Sequence, residues 1–155
     1  AYYVGSLNFN CIFKIDRSTG DTLWRLGGEE SDFTMTTGDE NWFYSQHQFQ
    51  VLDDGLLVFN NGPYAETETR ASEYELDLEQ FTIGLRWEYQ PDPPLGIYAF
   101  GDVWRLPTGN TLITWSSAGQ IDEVTPEGEL VWRLNAELGA GFGYVVWTDD
   151  LYSVP

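Results

Sequence analysis

The 155 residues include one cysteine, one histidine, one methionine and one lysine, and only seven lysine and arginine side chains against 25 carboxylates. Each shortage removes a class of reading. With Cys11 alone no disulfide can form within the chain, so stability has to come from packing, and Cys11 reads as a buried free thiol. One histidine and one cysteine leave no Cys/His cluster for zinc. A net charge of −18 repels phosphate backbones and anionic lipid, which argues against a nucleic-acid partner. No apolar run approaches the roughly 20 residues of a membrane-spanning helix. No Gly-rich loop has the form of a nucleotide cradle, and no long stretch shows helical periodicity. The opening Ala1-Tyr2-Tyr3 lacks a methionine and does not read as a signal peptide; the expectation is a processed chain or a fragment, with export left open.

What the chain does have is aromatic side chains, at 16%, with 16 glycines and seven prolines. Aromatic residues fit a pleated surface, and Gly and Pro punctuate turns, so sheets joined by many turns are expected. A repeat organises them. IFKIDRSTGDTLWRL (12–26) and IDEVTPEGELVWRL (121–134) share an acidic residue before a turn, then a glycine, then a tryptophan four positions on, Gly20 to Trp24 and Gly128 to Trp132. SEYELDLEQFTIGLRWEY (72–89) has the same form and ends on Trp87. Each reads as a β-hairpin whose second strand buries its indole.

A second kind of hairpin alternates with the first. FQVLDDGLLVFNNG (49–62) matches VWRLPTGNTLITWSSAG (103–119), Leu52 against Leu106 and Gly55 against Gly109. Joined in order, the hairpins make four-stranded units of about 45 residues, the period of a β-propeller blade. The expected fold is therefore all-β: a partial propeller over 1–155, with a partial blade at 1–45, blades at 46–99 and 100–135, and a closing strand at 142–155. A sandwich would not return a tryptophan to the same place in each hairpin. Propellers need about four to eight blades to close. Some three blades leave open sheet faces, to be covered by remaining blades or by a second copy of the chain.

The run SLNFNCIFKIDRSTGDTLWRLGGEESDF, SQHQFQVLDDGLLVFNNG, TRASEYELD, WEY and RLPTGNTLITWSSAGQIDEVTPEGELVWRL resembles the arylsulfotransferase family over nearly the whole chain. The tail ending in Leu151-Tyr152 resembles that family's C-terminal end. The resemblance implies the C-terminal half of a six-bladed propeller, located outside the cell or in the periplasm. It also implies transfer of a sulfuryl group from an aryl sulfate to a phenolic acceptor through histidine, with no cofactor. IDRSTGDTLWRL is also similar to the docking repeat of quinoprotein propellers, whose cofactor is a quinone, but only one copy carries Thr-Gly.

By that resemblance His47, in Gln46-His47-Gln48, and Arg70, after Glu66-Thr67-Glu68-Thr69, are the catalytic residues. Histidine supplies a neutral imidazole nucleophile, and a guanidinium fork holds sulfuryl oxygens. Asn61, in Asn60-Asn61-Gly62, and Asp102 complete the set on the substrate-binding side. Each has a plainer reading: a histidine bonded to a loop carbonyl, an arginine paired with Glu66, Glu68 or Glu73, a tight turn at 60–62. The family places histidines at the channel ends of more than one blade, whereas the Leu52–Leu106 match puts Gly101 opposite His47. A binding or scaffold propeller that has lost its chemistry is therefore the competing expectation. Thr19-Gly20-Asp21, Asp53-Asp54-Gly55 and Asp149-Asp150 read as turns before calcium sites.

Overall fold

The computed structural model describes residues 1–63, 69–137 and 141–148. Over these residues the chain is all-β, in three separate sheets. The first is an antiparallel meander of β1 (Tyr2–Ser6), β2 (Cys11–Ile15) and β3 (Thr22–Leu26). Next comes β4 (Thr34–Met35), which lies parallel against β8 (Thr82–Tyr89) at the edge of the second sheet. The rest of that sheet is β5 (Phe49–Val51), β6 (Gly55–Asn60) and β7 (Arg70–Asp77), antiparallel in chain order with β8. The third runs β9 (Asp102–Arg105), β10 (Thr111–Trp115), β11 (Gln120–Val124) and β12 (Leu130–Asn135).

Strand β6 explains the stacking. Its sequence GLLVFN has no polar alternation, and all six residues are buried, as a strand covered on both faces requires. Leu56 and Val58 point one way, into a cluster with Ile12, Trp24, Leu26 and Tyr74. Leu57 and Phe59 point the other way, to Val103, Ile113 and Trp115. The second sheet is thus packed between the first and third. Among the described residues no cluster joins the third sheet to the first, and the sheets do not close into a ring.

The turns follow a side-chain rule. Asp16 Oδ1 accepts the Ser18 and Thr19 amides at 2.7 and 3.2 Å, and Asp77 Oδ1 accepts those of Glu79 and Gln80 at 2.9 Å each. These are the acidic residues that the repeat placed before each turn. In the last hairpin Thr125, not Glu123, does this work: its Oγ1 accepts the Glu127 and Glu129 amides. Each sheet has one register shift, and it recurs at the equivalent pair: β2–β3, β7–β8 and β11–β12.

Two expectations need correction. The recurring indole is buried at Trp24 but 43% exposed at Trp132, because β12 is the edge strand of the third sheet. The segment 141–148, expected as part of a closing strand, pairs with no sheet. Phe142 and Val145 instead pack on the outer face of the third sheet against Leu106, Leu112 and Ile121. The remainder of that stretch, with Asp149-Asp150 and Leu151-Tyr152, lies outside the described residues, as do Glu66, Thr67 and Glu68.

One buried charge ties the third sheet together. Asp122, with no exposed surface, accepts from Arg133 Nε and Nη2 at 2.7 and 2.9 Å, Trp115 Nε1 at 2.9 Å and Gln120 Nε2 at 3.0 Å. Removing one partner of a buried pair strands the other charge, whereas an exposed pair contributes about 1 kcal/mol or less. Arg133→Ala should therefore cost about 3 kcal/mol in denaturant unfolding. Arg25→Ala, which removes exposed pairings with Glu30 and Asp32, should cost under about 1 kcal/mol. Equal losses would contradict this account.

Candidate functional site

The site is built where the end of β6 meets the loop before β9. His47 sits just ahead of β5, and its backbone N–H donates to Phe59 O at 3.2 Å, extending the β5–β6 pairing by one step. Asn60 and Asn61 follow β6 directly, and both are buried. Asn60 Oδ1 accepts the Tyr44 and Gly62 amides at 3.0 Å each, which holds the 43–47 approach against the end of β6.

Asn61 is the central residue. Its Nδ2 donates to two backbone carbonyls, Ile97 O at 2.7 Å and Phe100 O at 3.1 Å. Two acceptors on one side fix which end of the amide is nitrogen, so Oδ1 must face the other way. That oxygen lies 3.0 Å from His47 Nδ1. An amide oxygen only accepts, so Nδ1 carries the proton. Phe100 N–H donates to His47 Nε2 at 3.1 Å, which requires a lone pair there. The imidazole is therefore the neutral Nδ1–H tautomer, with both nitrogens engaged.

Thr69 closes the network from behind. Its buried hydroxyl donates to Asn61 O at 3.2 Å and accepts the Ile97 amide at 2.9 Å. The 95–101 loop is thus fastened to the sheet by Asn61 and Thr69 and then returns the Phe100 amide to His47. Phe100 adopts φ +61°, unfavourable for a bulky L residue. Its ring stands 6.0 Å from the imidazole centroid.

The other two expected site residues are engaged elsewhere. Arg70, next to Thr69 in the chain, reaches across β7–β8 to Glu88 Oε2 at 3.1 Å. Glu88 is thus one partner of Arg70, while Glu66 and Glu68, named in the plainer reading, lie outside the described residues. Asp102 is buried at the start of β9 and accepts from Val103 N–H at 2.9 Å, Trp104 Nε1 at 3.1 Å and Val145 N–H at 3.0 Å. Burial pushes its carboxyl above the usual range, and these donors pull the other way. A carboxyl raised on folding stabilises fully below its unfolded pKa, and that share is lost as pH rises through the folded value.

Gly101 explains why no second histidine stands beside the first. A Cβ there would lie 2.0 Å from Phe59 Cε1, and the backbone is at φ +126°. Phe59 is itself packed against Trp115, ring centroids 5.6 Å apart. The position aligned with His47 is filled by an aromatic ring from the neighbouring sheet.

Of the expected site residues the structure brings His47 and Asn61 into contact, and Thr69 and Phe100, which the sequence did not single out, join the same network. The Thr69-Arg70 step pointed only to its arginine, and nothing in the local pattern of 95–101 announces an amide aimed at an imidazole. Two clefts flank this region. One of about 840 Å³ runs between the first sheet and the 42–44 segment, with Phe9, Phe13, Arg25 and Trp42 in its walls. A smaller one of about 420 Å³ opens beside Phe100. Among the described residues no three His, Cys, Asp or Glu side chains gather as a metal site would need.

The family profile described as Arylsulfotransferase (ASST) matches residues 1–145. The chain belongs to the arylsulfotransferase family. No curated relative matches it. The match takes in His47, Asn61, Thr69, Arg70 and the Phe100–Asp102 segment alike.

The geometry makes a test at Gly101. Gly101→Ala should destabilise the fold by at least about 2 kcal/mol, from overpacking and the positive φ. Combined with Phe59→Leu, the loss should fall below the sum of the two single changes, because the methyl then meets less ring. Strict additivity in denaturant unfolding would show that Phe59 does not occupy that space.

Proposed function

We propose that the chain is part of a sulfuryl-transfer propeller, with a partial blade at 1–45 and blades at 46–99 and 100–135. Its substrates are an aryl sulfate donor and a phenolic acceptor. Remaining blades, or a second copy, cover the open faces at β1 and β12, where Tyr2, Val4, Leu130 and Trp132 are exposed. The family's chemistry is an activity of exported proteins, and we place this one outside the cell or in the periplasm. Among the described residues no helix is long and apolar enough to cross a membrane.

The observation that carries the reading is the tautomer of His47. A histidine nucleophile must be neutral and must offer a lone pair from a defined nitrogen. Asn61 Oδ1 accepts a hydrogen bond from Nδ1–H and so leaves the lone pair on Nε2 for sulfur. In the first half-reaction the Nε2 lone pair bonds to sulfur, the sulfur–oxygen bond to the aryl group breaks, and its electron pair leaves as phenolate. The ring then carries positive charge, with Nδ1–H still donated to Asn61. In the second half-reaction the acceptor's oxygen bonds to sulfur, the Nε2–sulfur bond breaks, and the phenol's proton passes to solvent.

Before attack the Phe100 amide must leave Nε2. Once displaced it lies beside the sulfuryl oxygens and can donate to one of them, as an oxyanion donor does. Arg70 is the proposed cationic contact. Its side chain is 29% exposed and Glu88, one of its partners, 45% exposed, so that ion pair contributes little on its own. Asp102 is proposed on the substrate side, where its buried oxygens hold the start of β9.

The test is the complete protein with p-nitrophenyl sulfate and phenol. Release of p-nitrophenolate should depend on phenol, and His47→Ala should lower it by at least about a thousandfold with little change in melting temperature, since the nucleophile itself is lost. Arg70→Ala should lower it about a hundredfold. Release retained in His47→Ala removes histidine from the mechanism. No release from a folded wild-type protein leaves the scaffold reading in its place.

A further inference from the structure

We propose that the cleft between the 98–100 loop and the 141–144 segment is the subsite for the ring of a neutral phenol, and that a ring entering it draws the Phe100 amide off His47 Nε2. The inference rests on the sulfuryl-transfer reading above and names where the acceptor sits.

Three aromatic side chains stand in solvent around this one cleft: Tyr98 at 79% exposed, Phe100 at 55% and Tyr144 at 62%. Exposed rings gathered at a cleft are uncommon where sequence could supply polar residues, and they mark a binding surface. The floor is the Ser116–Ser117 turn, on which the tail is fastened: Phe142 N–H donates to Ser116 O at 3.0 Å and Ser116 Oγ to Gly143 O at 3.1 Å. The cleft volume of about 420 Å³ falls within the range of small-ligand sites, roughly 300–1,000 Å³.

Its chemistry selects a neutral ring. The lining residues comprise aromatic rings, two serines, two glycines and an alanine, with no lysine or arginine, in a chain of net charge −18. An aryl sulfate would enter with its negative charge unmatched, whereas a phenol would bring a π-face and one hydroxyl. Aromatic rings meet such a face offset or edge-on, and Tyr hydroxyls and Ser116–Ser117 can take the phenolic oxygen.

Phe100 links the subsite to the nucleophile. Its ring is a wall of the cleft, its amide caps Nε2 at 3.1 Å, and its backbone is held at φ +61°. A ring that packs on Phe100 and favours a relaxed backbone there would free the lone pair as the acceptor arrives. Binding can shift the loop only by its differential affinity for the two arrangements.

The experiment titrates phenol, with no sulfate ester present, into ¹⁵N-labelled protein and reads the Phe100 amide and the ring of the lone histidine. Both signals should move together and saturate. Tyr98→Ala and Tyr144→Ala, at exposed positions that the fold does not need, should each weaken binding about fivefold, the worth of one aromatic contact. A parallel titration with p-nitrophenyl sulfate should bind at this cleft at least about tenfold more weakly than phenol. The proposal is overturned if shifts do not saturate, if both variants bind as wild type does, if the ester binds here as well as phenol, or if phenol saturates without moving His47. Phenolate release is not read, so a protein that binds phenol here yet transfers nothing keeps this inference and loses the earlier one. A protein that turns over but ignores Tyr98 and Tyr144 does the reverse.

Discussion

One carboxamide decides the character of this site. Asn61 has two donor hydrogens and one acceptor oxygen, and the fold gives it two carbonyls on one side and an imidazole on the other. A buried amide cannot turn over without leaving both carbonyls and the imidazole unsatisfied, each at a cost of about 1–3 kcal/mol. The orientation is therefore rigid, and it dictates the protonation pattern of His47. The loop that supplies the carbonyls also supplies the Phe100 amide to Nε2, so a single interaction sets the tautomer and places the group that guards it.

The rest of the architecture serves that amide. Asn61 stands just past β6, the strand buried on both faces, and so it is delivered by the most constrained element of the fold. Thr69, at the head of β7, grips the Asn61 carbonyl and the Ile97 amide together. Phe59, one side chain earlier on the same face as Leu57, fills the space above Gly101 and sets the path of the loop into β9. Sheet stacking, loop path and imidazole chemistry are thus one connected arrangement rather than three separate ones.

The hairpins were legible because local chemistry writes them. Asp16 and Asp77 cap their own turns, Gly20 and Gly128 take positive φ, and the apolar run of β6 has no other use than a doubly covered strand. The family resemblance was legible for the same reason, since it rides on those hairpins and on Gln46-His47-Gln48. Other features had no local signature. The pairing of Thr34–Met35 with β8 joins segments 48 residues apart through two residues only. The exposure of Trp132 depends on what lies beside β12, which its own pattern cannot tell. That Asn61 would orient the imidazole had no local sign, because its partners, Ile97 and Phe100, are 36 and 39 positions away. Arg70 and Asp102 were chosen by motif, but the partners they have, Glu88 and the Trp104 and Val145 donors, follow from strand register and from the tail.

The central claim is that Asn61 holds His47 as a neutral ring with its proton on Nδ1 and its lone pair on Nε2. Because the chain has only one histidine, ¹⁵N spectra of the imidazole report on it without ambiguity. At a pH where the ring is neutral, Nδ1 should resonate as a protonated, pyrrole-like nitrogen and Nε2 as an unprotonated, pyridine-like one, and Asn61→Leu should abolish that preference. A wild-type spectrum with the proton on Nε2, or with both nitrogens averaged as in a free imidazole, would contradict the account.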